Sequence, residues 1–408
     1  MVRLVSGARF RPVSGATCPD PIRYGPARPG HLCLDGAATD GPDEQAHDDR
    51  TRVRIRRCLK FILVSLLSTG LLAAIPAANA EPVRLTRGVN LTNWFRYPSS
   101  RDPAALAAYL SDRALADLQA TGFDFVRLAV DPEVVSGDTA VLIGAIRRVQ
   151  RHRLAVIVSP HPHDWTVETE PGRLSAFWLV LAPKLAGLDQ ALTIPEVLNE
   201  PVFPNDPGGW AAVQHRVLGE IRHALPRATV VLSGNDWGSV AGLLALAPEA
   251  DRNVLYSFHF YDPAELTSLA AYRHDVDRAA LTGLPFPVTA QSNCDVSADP
   301  ATADLAHYYC SFFWDAPRIA AGIDNAARWA RDHDVKLLLG EFGASADLNA
   351  PARLAWLKTV REAAAQRHIG WALWGYDDSM GLAIARPVGG RPVLNPAVLS
   401  ALGMTAVK

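Results

Sequence analysis

Residues 335–374 read VKLLLGEFGASADLNAPARLAWLKTVREAAAQRHIGWALW. The stretch opens on an apolar run, 335–340, that is too short for a helix, and closes on a second such run, 369–374. Between them Leu354, Leu357, Val360 and Ala364 recur at spacings of three and four, which puts one apolar stripe on a helix over 353–368. Strand, helix, strand, with both strands apolar on two faces, is a unit of a buried parallel sheet. Six more runs of the same kind precede it, at 87–91, 123–130, 154–160, 194–199, 229–233 and 254–260. Helical periods lie between them, at 103–121, 141–152, 210–225 and 318–333. Eight apolar strands alternating with helices predict a single α/β domain over 81–408, a (β/α)8 barrel of the TIM type. A doubly wound open sheet is the competing arrangement, but no G-x-G-x-x-G or G-x-x-x-x-G-K-[ST] follows any strand.

The chain has 408 residues, 49% of them hydrophobic, with a formal net charge of −2. That composition belongs to a folded globular protein, and the near balance of charge leaves no basic field for nucleic acid. Ahead of the barrel, residues 1–57 carry no strand or helix period. Then Arg54, Arg56, Arg57 and Lys60 precede an apolar run over 61–75, and Ala78-Asn79-Ala80 follows it. Basic segment, short apolar core and small-residue end are the parts of a secretory signal peptide over 53–80. The apolar run is short for a membrane span. We therefore expect cleavage near Ala80, a secreted or periplasmic protein, and no membrane association after processing. Residues 1–52 are expected to be a dispensable extension, with Val53 as the true start.

Cysteine usage agrees with export. Cys18, Cys33 and Cys58 lie before the expected cleavage, which leaves Cys294 and Cys310 as a predicted disulfide. Both fall in a connection, 262–315, far longer than barrel loops usually are. Loops that follow barrel strands sit on the catalytic face, so this stapled loop is expected to wall the substrate cleft.

On such a barrel, chemistry belongs where polar residues end strands. Those residues are Asn90 and Asn93, Arg127, His161 and His163, Asn199 and Glu200, Asn235 to Trp237, His259 and Tyr261, Glu341, and Trp374. Glu200 and Glu341 stand on the fourth and seventh strands, facing each other across the barrel mouth. Paired carboxylates are what glycoside hydrolysis needs, one to protonate the departing oxygen and one to attack or stabilise the oxocarbenium-like carbon. Trp237 and Trp165 follow strands closely enough to serve as flat platforms for sugar rings. Arg127 can also pair with Glu196, and Tyr376, Asp377 and Asp378 can line the cleft or cap a helix.

Leu198-Asn199-Glu200-Pro201 and Gly340-Glu341-Phe342-Gly343 resemble the acid/base and nucleophile motifs of glycoside hydrolase family 5, the cellulase family. His259-Phe260-Tyr261, Arg127, His161, Trp374 and Gly234-Asn235-Asp236-Trp237 are similar to further segments of that family, in the same order from Gly88 to Trp374. The resemblance implies a retaining β-glycosidase with Glu200 as acid/base and Glu341 as nucleophile. It implies that Arg127, His161, Asn199, Trp237, His259, Tyr261 and Trp374 bind substrate or support the carboxylates. The expected partner is a β-linked polysaccharide or oligosaccharide, with an endo-β-1,4-glucanase leading a β-mannanase or a β-1,3-glucanase or exo-glucosidase. No cofactor, no metal and a monomer are expected. The rival enzyme class is a metal-dependent barrel hydrolase using His161, His163, His259 and Asp377. The rival outside catalysis is a carbohydrate-binding barrel.

Overall fold

The computed structural model describes residues 85–385 and 393–405. The expected leader over 53–80 and the extension over 1–52 lie outside them. Eight strands form one sheet: β1 (Arg87–Phe95), β2 (Phe125–Val130), β3 (Ala155–Pro160), β4 (Thr193–Pro195), β5 (Val230–Ser233), β6 (Val254–His259), β7 (Leu337–Phe342) and β8 (Gly370–Leu373). Their order is β4-β3-β2-β1-β8-β7-β6-β5, and every neighbouring pair is parallel. The two ends meet through a bridge between Glu196 and Val231, with the Val197 N–H on the Val231 carbonyl at 3.0 Å. The sheet thus curls into a nearly closed barrel with helices around it.

Strand β4 is shorter than the run at 194–199. Pro195 has no N–H to give the ladder, and pairing continues only as single contacts, Glu196 N–H to Val158 O and Asn199 N–H to Pro160 O. The expected helix over 103–121 is two helices, Pro103–Ala108 and Asp112–Thr121, because Ser111 caps the second through the Ala114 N–H. The helix expected over 353–368 starts earlier, at Ala350, where Asn349 caps the Ala352 N–H and a proline follows.

Alternation along the strands sorts the interior. Val126, Leu128 and Val130 of β2 face the helices in the main core, whereas Phe125 points into the barrel with Ala155, Ile157, Ile194, Val231, Leu255, Leu338 and Ala372. Gly88 leaves the space that the Phe125 ring fills, since a Cβ there would lie 2.2 Å from the ring. Two residues further along several of the strands, the inward positions become polar: Arg127 after Phe125, Ser159 after Ile157, Glu196 after Ile194, Ser257 after Leu255. The barrel interior is therefore apolar at its N-terminal end and polar at the end where the strands finish.

The connection over 262–315 is not a plain loop. It holds three helices, Ala264–Thr267, Arg278–Leu281 and Pro300–Ser311, and a Cys294–Cys310 disulfide with Cα atoms 6.4 Å apart. The Tyr309 hydroxyl donates to Pro285 O, and the Asn349 amide donates to Thr282 O and Leu284 O. Its first helix backs the barrel mouth: Thr267 donates its hydroxyl to Tyr261 O, and the Ser345 N–H donates to Thr267 O.

Candidate active site

Arg127 is the centre of the polar layer. Its side chain is fully buried, which is tolerable for a guanidinium only when every donor is used. Nε and Nη2 hold the two Glu196 oxygens at 2.6 and 3.0 Å, Nη2 also reaches Ser159 and Asn199 Oδ1, and Nη1 reaches Asn90 Oδ1. The same Nη1 donates to Glu341 Oε1 at 2.5 Å. Burial alone would ease deprotonation, but the charges of Glu196 and Glu341 outweigh it and hold the guanidinium more firmly protonated than usual. Pairing with Glu196 and service to Glu341 are therefore not alternatives; one fork does both.

Glu341, at the end of β7, has its other oxygen on the Tyr261 hydroxyl at 2.9 Å. Both of its oxygens are thus fixed from outside the strand. Glu200 follows β4 at a left-handed φ of 41° and stays half-buried. His259, at the end of β6, joins the two acids: Nδ1 lies 2.9 Å from Glu200 Oε1 and 3.5 Å from Glu341 Oε2. Burial would push the His259 imidazole down, yet the Glu341 charge and the Glu200 hydrogen bond prevail and its pKa is raised. One oxygen of each glutamate and a His259 nitrogen lie within 4.8 Å of one another. Such a trio could hold a cation, but the Arg127 charge already sits on Glu341.

His161, after β3, behaves oppositely. Burial, then the charges of Arg96, Arg127 and His259, lower its pKa well below the ordinary value. Both ring nitrogens are buried without a hydrogen-bond partner among the described residues, and the ring stacks on Trp374 at 5.9 Å. Neutral imidazole with open nitrogens beside an indole suits sugar hydroxyls. Asn199 spends its Oδ1 on Arg127, which turns its NH2 group to other acceptors.

The loop after β5 also closes on the site. Asn235 ties it to the loop that carries Glu200, exchanging hydrogen bonds with Phe203. Asp236 and Trp237 both take left-handed φ, the Trp237 N–H bonds Pro201 O, and Gly238 packs on the His259 ring. Trp237 is half-buried there. Trp165 is no platform: it is 6% exposed, with the Arg173 guanidinium over its ring. His163 is exposed against Tyr97 and Asp377 is held by Tyr109 and Asn93, so these two do not join His161 and His259 as a ligand set. Asp378 bonds Thr92 and the Met380 N–H, which makes the segment after β8 a tie to β1.

Arg96 was not legible as a site residue. It follows β1 directly, and its guanidinium lies over the Tyr97 ring at 4.8 Å and the Trp374 ring at 5.6 Å.

Two carboxylates joined by a histidine at the C-terminal mouth of a (β/α)8 barrel, with an indole beside them, define a glycoside hydrolase. The chain belongs to the cellulase family, glycosyl hydrolase family 5, whose sequence profile matches residues 79–379. Endoglucanase 3 of Fibrobacter succinogenes is 23% identical over 331 residues, covering 72% of this chain and 49% of that protein, so the chain spans about half its length. Endoglucanase C of Acetivibrio thermocellus is 21% identical over 316 residues, covering 72% of this chain and 92% of that protein. Among solved structures, endoglucanase Cel5A of Thermotoga maritima shares the fold at a TM-score of 0.64, with 20% identity over 78% of this chain and 97% of that one. Subunit Z of the Clostridioides difficile cellulose synthase does so at 0.62, with 20% identity over 78% and 99%.

Proposed function

We propose that this chain is an exported endo-β-1,4-glucanase that cleaves with retention of configuration. The observation that carries the mechanism is the short distance between Glu200 and Glu341. An inverting enzyme needs its carboxyl groups about 6.5–9.5 Å apart to admit a water, whereas a retaining one has them about 5–5.5 Å apart. One oxygen of Glu200 and one of Glu341 approach within 4.8 Å of each other, a close approach that favours the retaining arrangement.

In the first step the Glu341 carboxylate attacks the anomeric carbon. The bond to the departing oxygen breaks as that oxygen takes the Glu200 proton. In the second step Glu200 takes a proton from water, the water oxygen attacks the same carbon, and Glu341 leaves. Arg127 and Tyr261 aim the nucleophile from two sides. His259, held between both acids, keeps Glu200 in register with the nucleophile. The Asn199 amide donates to the sugar 2-OH in this mechanism, and Trp374 supports the ring at the cleavage point.

The substrate assignment draws on the relatives, which are named endoglucanases, and export draws on the basic, apolar and small-residue segments over 53–80. Proton NMR of the first product should show the β-anomer, and digests of pure β-1,4-glucan should give mixed oligomer lengths. An initial α-anomer removes the retaining mechanism. Faster hydrolysis of β-mannan or β-1,3-glucan, or release of one sugar unit at a time, reassigns the substrate. N-terminal sequencing of the exported protein should begin at Glu81.

A further inference from the structure

The segment over 262–315 ends in a cluster of aromatic rings outside the catalytic centre. Tyr308 is 52% exposed and Phe313 57%, the highest exposures among its large hydrophobic side chains. Between and beside them, Phe312 meets Tyr308 edge-on at 4.9 Å and Trp314 at 6.4 Å. The Arg318 guanidinium covers both Phe312 and Trp314, at 5.6 and 5.5 Å. No exposed large aliphatic side chain belongs to the cluster; it consists of rings and one guanidinium.

Backbone conformation sharpens the point. Helix Pro300–Ser311 is capped by Phe312, and Phe313 follows at φ 48° with its N–H on Cys310 O. Glycine or asparagine occupies that left-handed position without strain. Here a phenylalanine does, with its ring turned to solvent. Strain kept at an exposed aromatic residue points to function more than to packing. The disulfide at Cys310 fixes the helix that carries the rings.

The cluster also lies on the catalytic side. Helix Ala316–Asp332 packs Gly322 against the Phe260 ring, next to Tyr261 of the site. That helix runs back from the mouth before β7, so its start is about 9 Å further out than Gly322. The rings just before it therefore stand above the barrel rim on the β6 side.

We propose that the exposed rings of Tyr308 and Phe313, backed by Phe312 and Trp314 under Arg318, form a second polysaccharide platform, which holds a β-glucan chain outside the catalytic cleft. The proposal rests on the glucanase reading above. Exposed flat rings suit the apolar faces of pyranose rings, and a single guanidinium can donate to hydroxyls at their edges.

The test uses Tyr308→Ser with Phe313→Asn, in the otherwise native protein and in the Glu341→Ala background. Electrophoresis of the Glu341→Ala proteins through gels containing soluble β-1,4-glucan should show about tenfold weaker retardation for the platform variant. In the native background, kcat/KM on an aryl cellobioside should stay within about twofold, because that substrate fills only the cleft. Phe313→Asn alone should melt no lower than the parent, since asparagine relieves the left-handed strain. Unchanged retardation overturns the platform, and so does an equal loss on the aryl cellobioside. A parent that dimerises through this face, as seen by light scattering, with the variant monomeric and its glucan binding intact, overturns it in favour of a second copy. A parent that neither cleaves the aryl cellobioside nor is retarded by glucan overturns the glucanase reading and the platform together.

Discussion

Arg127 Nη1 and Glu341 Oε1 meet at 2.5 Å inside the barrel, where both side chains are almost wholly out of solvent. Arg127 cannot swing away from that contact, because its other edge is locked on Glu196, Ser159 and Asn199. A buried fork thus fixes the rotamer of the carboxylate proposed to attack. Tyr261 fixes the other oxygen, and is itself backed by Thr267 at the start of the long insertion.

Arg127→Lys keeps the charge but loses the fork, since one ammonium cannot serve Glu196 and Glu341 at opposite ends. Turnover should fall at least about 100-fold, because the nucleophile is no longer aimed. Stability should fall by about 3–5 kcal/mol, the range for leaving a buried charge without its partner. Steady-state kinetics and urea denaturation read the two losses separately. A lysine variant with full turnover would show that Arg127 serves the core and not the reaction.

The two site histidines should give opposite pH dependences of stability. His259 has a raised pKa in the folded chain, so it takes up a proton more readily than in the unfolded chain. Its contribution is fully present below the ordinary value of 6.5 and is lost as pH rises through the raised folded value. His161 is lowered, so unfolding takes up a proton that the folded ring refuses, and stability falls as pH drops below 6.5. The difference in melting temperature between parent and His259→Gln should therefore shrink from pH 6 to pH 9. Between parent and His161→Gln it should shrink from pH 8 to pH 5. Parallel curves for either variant would sink that assignment.

The barrel was legible because its signal is long-range and repeated. Apolar runs such as 335–340 have no polar face to hide, and the residues ending them are polar one after another. Glu200, Glu341, Arg127 and His259 could be picked out for that reason, since a carboxylate or guanidinium closing an apolar strand must be partnered by something across the barrel. What each would touch was less legible. Trp165 follows β3 as closely as a platform should, but Arg173, from the helix that follows, covers it. Arg96 escaped notice because nothing local distinguishes it from a surface arginine; only the closing of β8 on β1 brings it to Trp374. The helices in 262–315 are short pieces held by the disulfide and by ties such as Asn349 to Leu284, which leave no periodic pattern.

Gly340 precedes Glu341 for a reason of space. A Cβ there would sit 2.2 Å from Ser257 Oγ and 3.3 Å from the His259 ring. Gly340→Ala should destabilise by about 1–3 kcal/mol, as overpacking does, and lower turnover by shifting His259. Ser257→Ala removes the colliding hydroxyl, which has no partner among the described residues. The double variant should then recover more than half of the lost stability. A coupling below about 0.5 kcal/mol in the double-mutant cycle would rule out this contact as the cause.

The division of labour between the two glutamates gives the sharpest test. Glu341→Ala should lose nearly all activity with every leaving group, because no other carboxylate can form the glycosyl-enzyme. In the proposed mechanism Glu200 has two duties, protonating the departing oxygen and then deprotonating water. An activated aryl leaving group hardly needs the first, so Glu200→Ala should release the aryl group in a burst and then stall. Azide needs no base to attack, so adding it should restore turnover and yield a β-glycosyl azide through a second inversion at the same carbon. His259 bonds Glu200 in the parent, and the pH profile of the rescued variant should lose the limb that reports the acid/base group. An α-glycosyl azide from Glu200→Ala, or azide rescue of Glu341→Ala in its place, would show that the roles are exchanged or that the mechanism inverts.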